Sequence, residues 1–132
     1  MHISKIRLVL GDQLYRGHSW FQSVEDDVLY VLMELRQETD YVCHHIQKVL
    51  GFFAAMREFA KDIAAQGHRV RYLCLDDAHN TQILTENLEF ILSETGASAF
   101  EYQVPDEYRL DKELSSFADT LQRRGITVNS VD

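Results

Sequence analysis

The chain has 132 residues, and its 45% hydrophobic and 11% aromatic content is typical of one folded domain and argues against a disordered segment. Its 13 Lys and Arg residues are outnumbered by 21 Asp and Glu residues, and the net charge of −8 argues against a domain whose main surface binds a nucleic-acid backbone. No apolar run reaches the roughly 18 residues of a membrane-spanning helix, so we predict no membrane partner.

The first half of the chain alternates apolar runs with turn residues. Residues 5–10 and 27–35 predict two buried strands, because continuous runs of Val, Leu and Tyr are typical of strands covered on both faces. Residues 20–24, between them, predict a short helical segment. Residues 40–66 predict a long helix that ends at Gly67, since glycine commonly follows the last turn of a helix.

The second half of the chain adds three strands and two helices. The strands are predicted at residues 69–75, 98–104 and 126–131, and the helices at residues 81–94 and 111–124. Apolar side chains recur at helical spacing in both helices and predict one buried side for each. These apolar sides consist of Ile83, Leu84, Leu88, Ile91 and Leu92 in the first and of Leu114, Phe117, Ala118 and Leu121 in the second.

This order of elements predicts a single α/β domain over residues 1–132. Strands that alternate with helices form βαβ units, so we expect a three-layer, Rossmann-like fold with a mostly parallel five-stranded sheet. Ligands of such sheets bind at the carboxyl ends of the strands. The segments that follow the first two strands are therefore the first candidates for a functional site.

The first strand runs directly into the turn Gly11-Asp12-Gln13. A glycine at this point lets the backbone turn sharply or approach a ligand closely. Asp12 either binds such a ligand or caps the following segment. The turn is neither a G-x-G-x-x-G fingerprint nor a Walker A loop, so the sequence has no motif for dinucleotide or P-loop binding.

The segment between the second strand and the long helix concentrates polar side chains. Glu38 has two interpretations, because a carboxylate near a helix N-terminus is stabilised by the helix dipole and a carboxylate also accepts bonds from a heterocycle or a polyol. Glu34, before the turn, shares the second interpretation. His44 and His45 are adjacent and point about 100° apart on a helix, whereas a helical metal pair needs a spacing of three or four residues.

The sequence gives little evidence for cysteine chemistry or for a catalytic nucleophile. Cys43 and Cys74 match no metal-binding spacing and are typical of reduced thiols, so we expect a cytoplasmic protein, with Cys74 in the core. No Ser, Cys or Thr has an evident His partner that would make it a nucleophile. We therefore predict neither a metal site nor a catalytic residue in this chain.

The long helix carries two stripes of side chains. The core stripe consists of Val42, Ile46, Val49, Phe53, Met56, Ala60 and Ile63, and the neighbouring stripe consists of Tyr41, His45, Lys48, Phe52, Ala55 and Phe59. The second stripe is polar and aromatic near the helix start and apolar further along. It suits a flat, amphipathic ligand, and it equally suits a half-buried helix edge whose polar tips reach water.

Five groups of residues occur in a characteristic order. They are residues 8–14 (Leu-Val-Leu-Gly-Asp-Gln-Leu), Glu34 with residues 38–45 (Glu-Thr-Asp-Tyr-Val-Cys-His-His), residues 55–60 (Ala-Met-Arg-Glu-Phe-Ala), residues 70–72 with 75–77 and Asn80, and residues 105–109 (Pro-Asp-Glu-Tyr-Arg). The ordered set resembles the N-terminal domain of the deoxyribodipyrimidine photolyase-related proteins. These are the prokaryotic (6-4) photolyases and related cryptochromes that carry an iron–sulfur cluster.

The resemblance implies an antenna domain that binds 6,7-dimethyl-8-ribityllumazine, a chromophore that absorbs light and passes the energy to a flavin. In that family FAD, a [4Fe-4S] cluster and the DNA-lesion pocket lie in a helical C-terminal domain outside this sequence. We therefore expect an N-terminal fragment that is not catalytic alone, packs against its own C-terminal FAD domain and meets DNA only through the full-length photolyase or cryptochrome. The face left open by that domain would let the fragment dimerise.

The resemblance also implies a set of chromophore-binding residues. They are Leu10, Gly11 and Asp12 after the first strand, Met33 in the second strand, Glu38, Tyr41 and His44 around the helix start, and Phe52 on the helix. Phe52 departs from the family pattern, in which many relatives have a smaller aliphatic residue. Its ring therefore either stacks on the chromophore or fills the place of the chromophore.

Two other functions are compatible with the same fold. A stand-alone nucleotide- or flavin-binding module would bind a mononucleotide without a second domain. A protein-interaction domain without a ligand would instead expose a sizeable apolar patch. The fold alone does not separate these functions, and it is the ordered set of residues that favours the antenna domain.

Overall fold

The computed structural model describes residues 2–35 and 46–131 of the chain. In these ranges the elements are β1 (Lys5–Leu8), a 3-10 helix (Ser19–Phe21), β2 (Val28–Met33), α1 (Ile46–Ala65), β3 (Arg69–Leu73), α2 (Leu84–Thr95), β4 (Ala99–Gln103), α3 (Tyr108–Arg123) and β5 (Thr127–Val131). The predicted order of strands and helices is confirmed, although the strands are shorter than predicted. The predicted start of the long helix at residue 40 lies outside the described residues.

The five strands form one sheet in the order β3-β2-β1-β4-β5, and every neighbouring pair is parallel. The predicted three-layer α/β fold is therefore confirmed, with a sheet that is parallel throughout. The chain first moves outward from β1 to β3 and then returns to the other side of β1 with β4. The switch point, where this order reverses, lies between β1 and β4, and doubly wound proteins commonly bind ligands outside the strand ends at such a point.

Each face of the sheet has its own hydrophobic cluster, because successive side chains of a strand point to opposite faces. On the face that α1 covers, here called the α1 face, the buried residues are Val9, Trp20, Phe21, Val28, Tyr30, Leu32, Phe53, Met56, Phe59, Ala60 and Ile63. The opposite face, here called the α2–α3 face, buries Ile6, Leu8, Leu10, Val31 and Met33 of the strands beneath α2 and α3. Of the predicted α1 core stripe, Phe53, Met56, Ala60 and Ile63 are buried, as expected.

The loop between β1 and β2 covers part of the α1 face. The Arg7 guanidinium lies 5.1 Å from the centre of the Trp20 ring, donates to the Glu101 carboxylate at 2.8 Å and donates to the Tyr30 hydroxyl at 2.7 Å. The Tyr30 hydroxyl in turn donates to the Trp20 carbonyl at 2.8 Å. This network fixes the loop, and with it the chain that leaves the Gly11 turn, onto the sheet.

One prediction about α2 is wrong. Ile83 was expected on the buried side of the helix, but 44% of the residue is exposed. The helix begins at Leu84, so Ile83 is the extended residue that precedes the first turn and does not follow the helical periodicity. In the described ranges, none of the helices combines the length and apolar character needed to cross a membrane.

Candidate functional site

The turn after β1 is held from both sides by Gln13. Its backbone N–H donates to the Leu10 carbonyl at 3.0 Å, which closes a turn with Gly11 and Asp12 at its centre. Its side-chain Oε1 accepts from the Leu10 N–H at 3.1 Å, and its Nε2 donates to the Gln103 carbonyl at 3.1 Å. The turn is therefore anchored to the ends of both β1 and β4.

Gly11 faces the aromatic ring of Phe52 on α1. A Cβ atom at Gly11 would lie 2.3 Å from Cζ of Phe52 and 3.1 Å from Sδ of Met56, so the absence of a side chain is what lets the ring reach the backbone. Phe52 is only partly buried. The structure thus brings together two of the predicted site residues, one from the turn and one from the helix.

The other described site residues occupy different positions around this contact. Asp12 is exposed at the tip of the turn, one residue from Gly11. Leu10 and Met33 are buried in the cluster of the α2–α3 face, whereas Phe52 packs on the α1 face, so the sheet separates them from the ring. Leu10 and Met33 therefore lie behind the strand ends, and the contact on the side of α1 is the one between Gly11 and Phe52.

Three predicted site residues, Glu38, Tyr41 and His44, lie outside the described residues. The described chain approaches this segment through Glu34 and Leu35 and leaves it at the start of α1. The described parts of the site therefore flank the segment in sequence, with the end of β2 before it and Phe52 after it.

Glu34, directly after β2, is the centre of a buried polar cluster. Its carboxylate is fully buried and accepts four hydrogen bonds. The donors are Arg57 Nε at 2.6 Å, Arg57 Nη2 at 2.9 Å, the Tyr72 hydroxyl at 2.6 Å and the Leu75 N–H at 2.9 Å. The cluster thereby joins β2, α1, β3 and the loop after β3 at the carboxyl edge of the sheet.

The pKa values in this cluster follow from burial and pairing. Burial alone would raise the pKa of Glu34, but the bonds from Arg57, Tyr72 and the Leu75 N–H outweigh it and hold that pKa below its usual value. Burial and the bond to the Glu34 carboxylate both raise the pKa of Tyr72. Glu34 is therefore a charged acceptor and Tyr72 a neutral donor over the physiological pH range, which is a structural arrangement with no free base.

A second set of amides extends the cluster to the α2–α3 face. Asn80 Nδ2 donates to the carbonyls of Glu34 at 2.8 Å and Cys74 at 3.0 Å, and its Oδ1 accepts from Asn87 Nδ2 at 2.9 Å. Asn87 Nδ2 also lies 3.4 Å from Sδ of Met33. The side chain of Met33 is therefore engaged by a buried amide on the face away from Phe52.

The chemistry of the Glu34 cluster was missed from the sequence. Its members lie 23 to 41 residues apart from Glu34, in different elements, and no spacing rule connects them. They do belong to the ordered groups that carry the family resemblance, which include Glu34, Arg57, Tyr72, Leu75 and Asn80. The sequence also offered a chemical indication of a polar cluster. Carboxylate, phenol and amide side chains lie at or near the predicted strand ends, and a guanidinium lies on the long helix.

The described residues offer no site for metal or thiol chemistry. Among residues 2–35 and 46–131, no three His, Cys, Asp or Glu side chains come together as metal ligands. Cys74 was expected in the core but is only partly buried, because β3 ends at Leu73 and leaves the thiol at the rim of the sheet. Burial still raises the pKa of Cys74, which makes it a poor nucleophile.

Comparisons with known proteins give a consistent result. The sequence profile of the family described as deoxyribodipyrimidine photo-lyase-related protein matches residues 7–132. A (6-4) photolyase of Agrobacterium fabrum (strain C58) is 35% identical over 118 residues, which cover 88% of this chain and 23% of that protein. The chain thus spans about a quarter of the length of this relative.

Proposed function

Because the chain belongs to the deoxyribodipyrimidine photo-lyase-related proteins, we propose that it is an antenna domain that binds 6,7-dimethyl-8-ribityllumazine. The site lies at the carboxyl ends of β1 and β2 beside α1. It consists of Gly11, Asp12 and Phe52 together with Glu38, Tyr41 and His44, with Leu10 and Met33 as support from behind the sheet.

The contact between Gly11 and Phe52 is the observation that carries this proposal. It places a flat aromatic ring against the backbone of a glycine, which has no side chain, at a strand end where α/β domains bind ligands. Asp12 is the next residue in the chain and is exposed. An aromatic surface beside a hydrogen-bond acceptor fits a flat heterocycle that carries a polyol chain, because the ring system stacks and the hydroxyl groups donate.

The chain's own residues bind and orient the chromophore and carry out no bond chemistry. When bound, the lumazine supplies light absorption and energy transfer to a flavin. We place that FAD, together with a [4Fe-4S] cluster and the DNA contacts, in the remaining part of a longer photolyase- or cryptochrome-like protein, since the matched relative is about four times as long as the match. In that protein the domain contributes a fixed distance and orientation for energy transfer.

The proposal is tested by fluorescence and absorbance titration of the chain with 6,7-dimethyl-8-ribityllumazine, with riboflavin and AMP as competing ligands. Asp12→Ala and Glu38→Ala are expected to weaken lumazine binding by about tenfold or more, because each removes a charged acceptor. Asp76→Ala is the matched control for Asp12→Ala, since Asp76 is also exposed but follows β3.

Phe52→Ala decides how the aromatic ring acts, and Phe90→Ala, on α2, is its control. If the ring stacks on the chromophore, Phe52→Ala weakens binding. If the ring fills the place of the chromophore, the unmodified chain binds poorly and Phe52→Ala gains binding. Absence of lumazine binding in both chains, or tighter binding of AMP or riboflavin than of lumazine in both, would overturn the proposal.

A further inference from the structure

The β1–β4 pair opens at its carboxyl end, at the switch point of the sheet. Val9 N–H donates to the Val31 carbonyl of β2, so the N–H groups of the alternate residues Leu8 and Leu10 point toward β4. The register pairs Leu8 with Tyr102, and bonds in a parallel ladder are evenly spaced. The next ladder bond would therefore join the Leu10 N–H to the Gln103 carbonyl.

The side chain of Gln13 stands in place of that bond. Leu10 N–H donates to Gln13 Oε1, and Gln13 Nε2 donates to the Gln103 carbonyl, each at 3.1 Å. One carboxamide thus bridges two backbone groups that a continued ladder would pair, at the point where the chain turns away after Leu10. It satisfies both of these backbone groups beyond the last paired residues of the two strands.

This arrangement removes the features with which α/β domains usually hold phosphate at this point. The Leu10 N–H already has an acceptor, so it does not point at a ligand in the crevice. The described chain between β1 and β2 contains only a three-residue 3-10 helix, so no α-helix N-terminus follows β1 to attract an anion. The same bonds fix the turn in which Gly11 meets the ring on α1.

We propose that Gln13 is a positioning and specificity residue: its carboxamide closes the switch-point crevice to nucleotide phosphates and holds the turn in which Gly11 contacts Phe52 of α1, where a flat heterocycle binds. The inference rests on the proposed function for its ligand. It assigns Gln13 no contact with that ligand, because both polar ends of the side chain are engaged by the backbone.

The test compares Gln13→Ala and Gln13→Glu with Gln122→Ala and Gln122→Glu, since Gln122 is exposed on α3. Thermal unfolding first verifies that each variant is folded. Affinities for lumazine and AMP are then measured, together with hydrogen exchange of the Leu10 N–H by NMR. The Gln122 variants are expected to match the unmodified chain in all three measurements.

Gln13→Ala is expected to speed exchange of the Leu10 N–H by about tenfold, to weaken lumazine binding by about three- to tenfold and to strengthen AMP binding, because the crevice opens and the turn loses its anchor. Gln13→Glu keeps the acceptor for Leu10 but turns a carboxylate toward the Gln103 carbonyl. It is expected to weaken lumazine binding without any gain for AMP.

Unchanged lumazine and AMP affinities in both folded Gln13 variants would overturn the inference. If the unmodified chain and Phe52→Ala both fail to bind lumazine, the proposed function fails, and Gln13 is judged by the other two measurements. Faster Leu10 exchange with a gain of AMP binding in Gln13→Ala would still support its role. The absence of either change would overturn that role as well.

Discussion

The carboxyl edge of the sheet is closed in two different ways in its two halves. At β2 and β3, the buried carboxylate of Glu34 accepts four hydrogen bonds, two of them from one guanidinium. At β1 and β4, the edge is closed by neutral groups, the amide of Gln13 and the ring of Phe52. The first half has a buried charge that requires all its partners, and the second has a neutral amide bridge and a partly buried ring.

This difference indicates where the fold is fixed and where it is adaptable. Removing one partner from a buried charge leaves that charge uncompensated, so such a cluster tolerates little rearrangement. A partly buried aromatic ring changes its rotamer at a much smaller cost in free energy. We therefore infer that the Glu34 cluster is structural and that the ligand meets the protein in the β1 half.

The largest effect is expected from removing the buried carboxylate in the β2–β3 half of the edge. Glu34→Ala leaves the Tyr72 hydroxyl and the Leu75 N–H without their acceptor, so we expect the free energy of unfolding to fall by about 3 kcal/mol. The value lies at the lower end for a buried pair because the Arg57 side chain is 57% exposed and regains water. Urea denaturation measures the change.

Glu58→Ala is the control for this substitution, since Glu58 is exposed on α1, the helix that carries Arg57. Its unfolding free energy is expected to stay within about 0.5 kcal/mol of that of the unmodified chain. Equal effects of the two substitutions would show that the Glu34 cluster does not fix the edge.

The next largest effect is expected from adding a methyl group in the β1–β4 half of the edge. In Gly11→Ala the new methyl group would meet Cζ of Phe52 at 2.3 Å, so we expect a loss of about 2 kcal/mol. Adding Phe52→Ala removes the clash, and a double-mutant cycle should give a coupling of about 1–2 kcal/mol. Gly51→Ala is the control, because among the described residues no atom beyond its chain neighbours and the nearby helix backbone lies within 4 Å of its Cβ position, and it should stabilise the helix slightly. A coupling near zero would mean that ring and turn are not in contact.

A smaller effect concerns the pH dependence of stability. The pKa of Glu34 is lower in the folded chain than its usual 4.5, because the bonds to its carboxylate outweigh burial. Its charge therefore stabilises the fold above the unfolded pKa, and this contribution is lost as the pH falls through the folded pKa. Between about pH 5 and pH 3, the unfolding free energy of the unmodified chain should fall more steeply than that of Glu34→Gln. Parallel pH profiles would contradict a depressed pKa.

The smallest effect is expected at Gln103 in the β1–β4 half of the edge. Its side-chain Nε2 is buried and has no hydrogen-bond partner among the described residues. Gln103→Met replaces the amide by an apolar group of similar length and keeps the backbone carbonyl that Gln13 uses. We expect a change between zero and a gain of about 1 kcal/mol in the free energy of unfolding, measured against Gln122→Met. A loss above about 1 kcal/mol would show that the amide has a structural partner.

Much of the fold could be predicted from the sequence because its patterns are local. Continuous apolar runs identify β1 and β2, and helical spacing identifies the buried sides of α2 and α3. The meeting of Gly11 and Phe52 was also within reach, since a turn after one strand and a helix after its neighbour share an edge of the sheet.

The parts that could not be predicted depend on register and on long-range partners. The face to which Met33 points depends on where the pleat of β2 starts, and a shift of one residue reverses it. The bonds of Glu34 require the rotation of α1 and the register of β3. The insertion of the Gln13 amide into a strand ladder follows from no periodicity, because it is a single side chain that replaces a backbone bond.

The central claim, that the ligand meets the β1 half of the edge, is tested most directly by NMR. The isotope-labelled chain and its Phe52→Ala variant are titrated with 6,7-dimethyl-8-ribityllumazine while backbone amide shifts are followed. We expect saturable shifts at Gly11 and Asp12 in at least one of the two, with the Leu75 amide, bonded to Glu34, unchanged. Shifts confined to Leu75 and its neighbours in the Glu34 half of the edge, or no shift in either chain, would contradict the account.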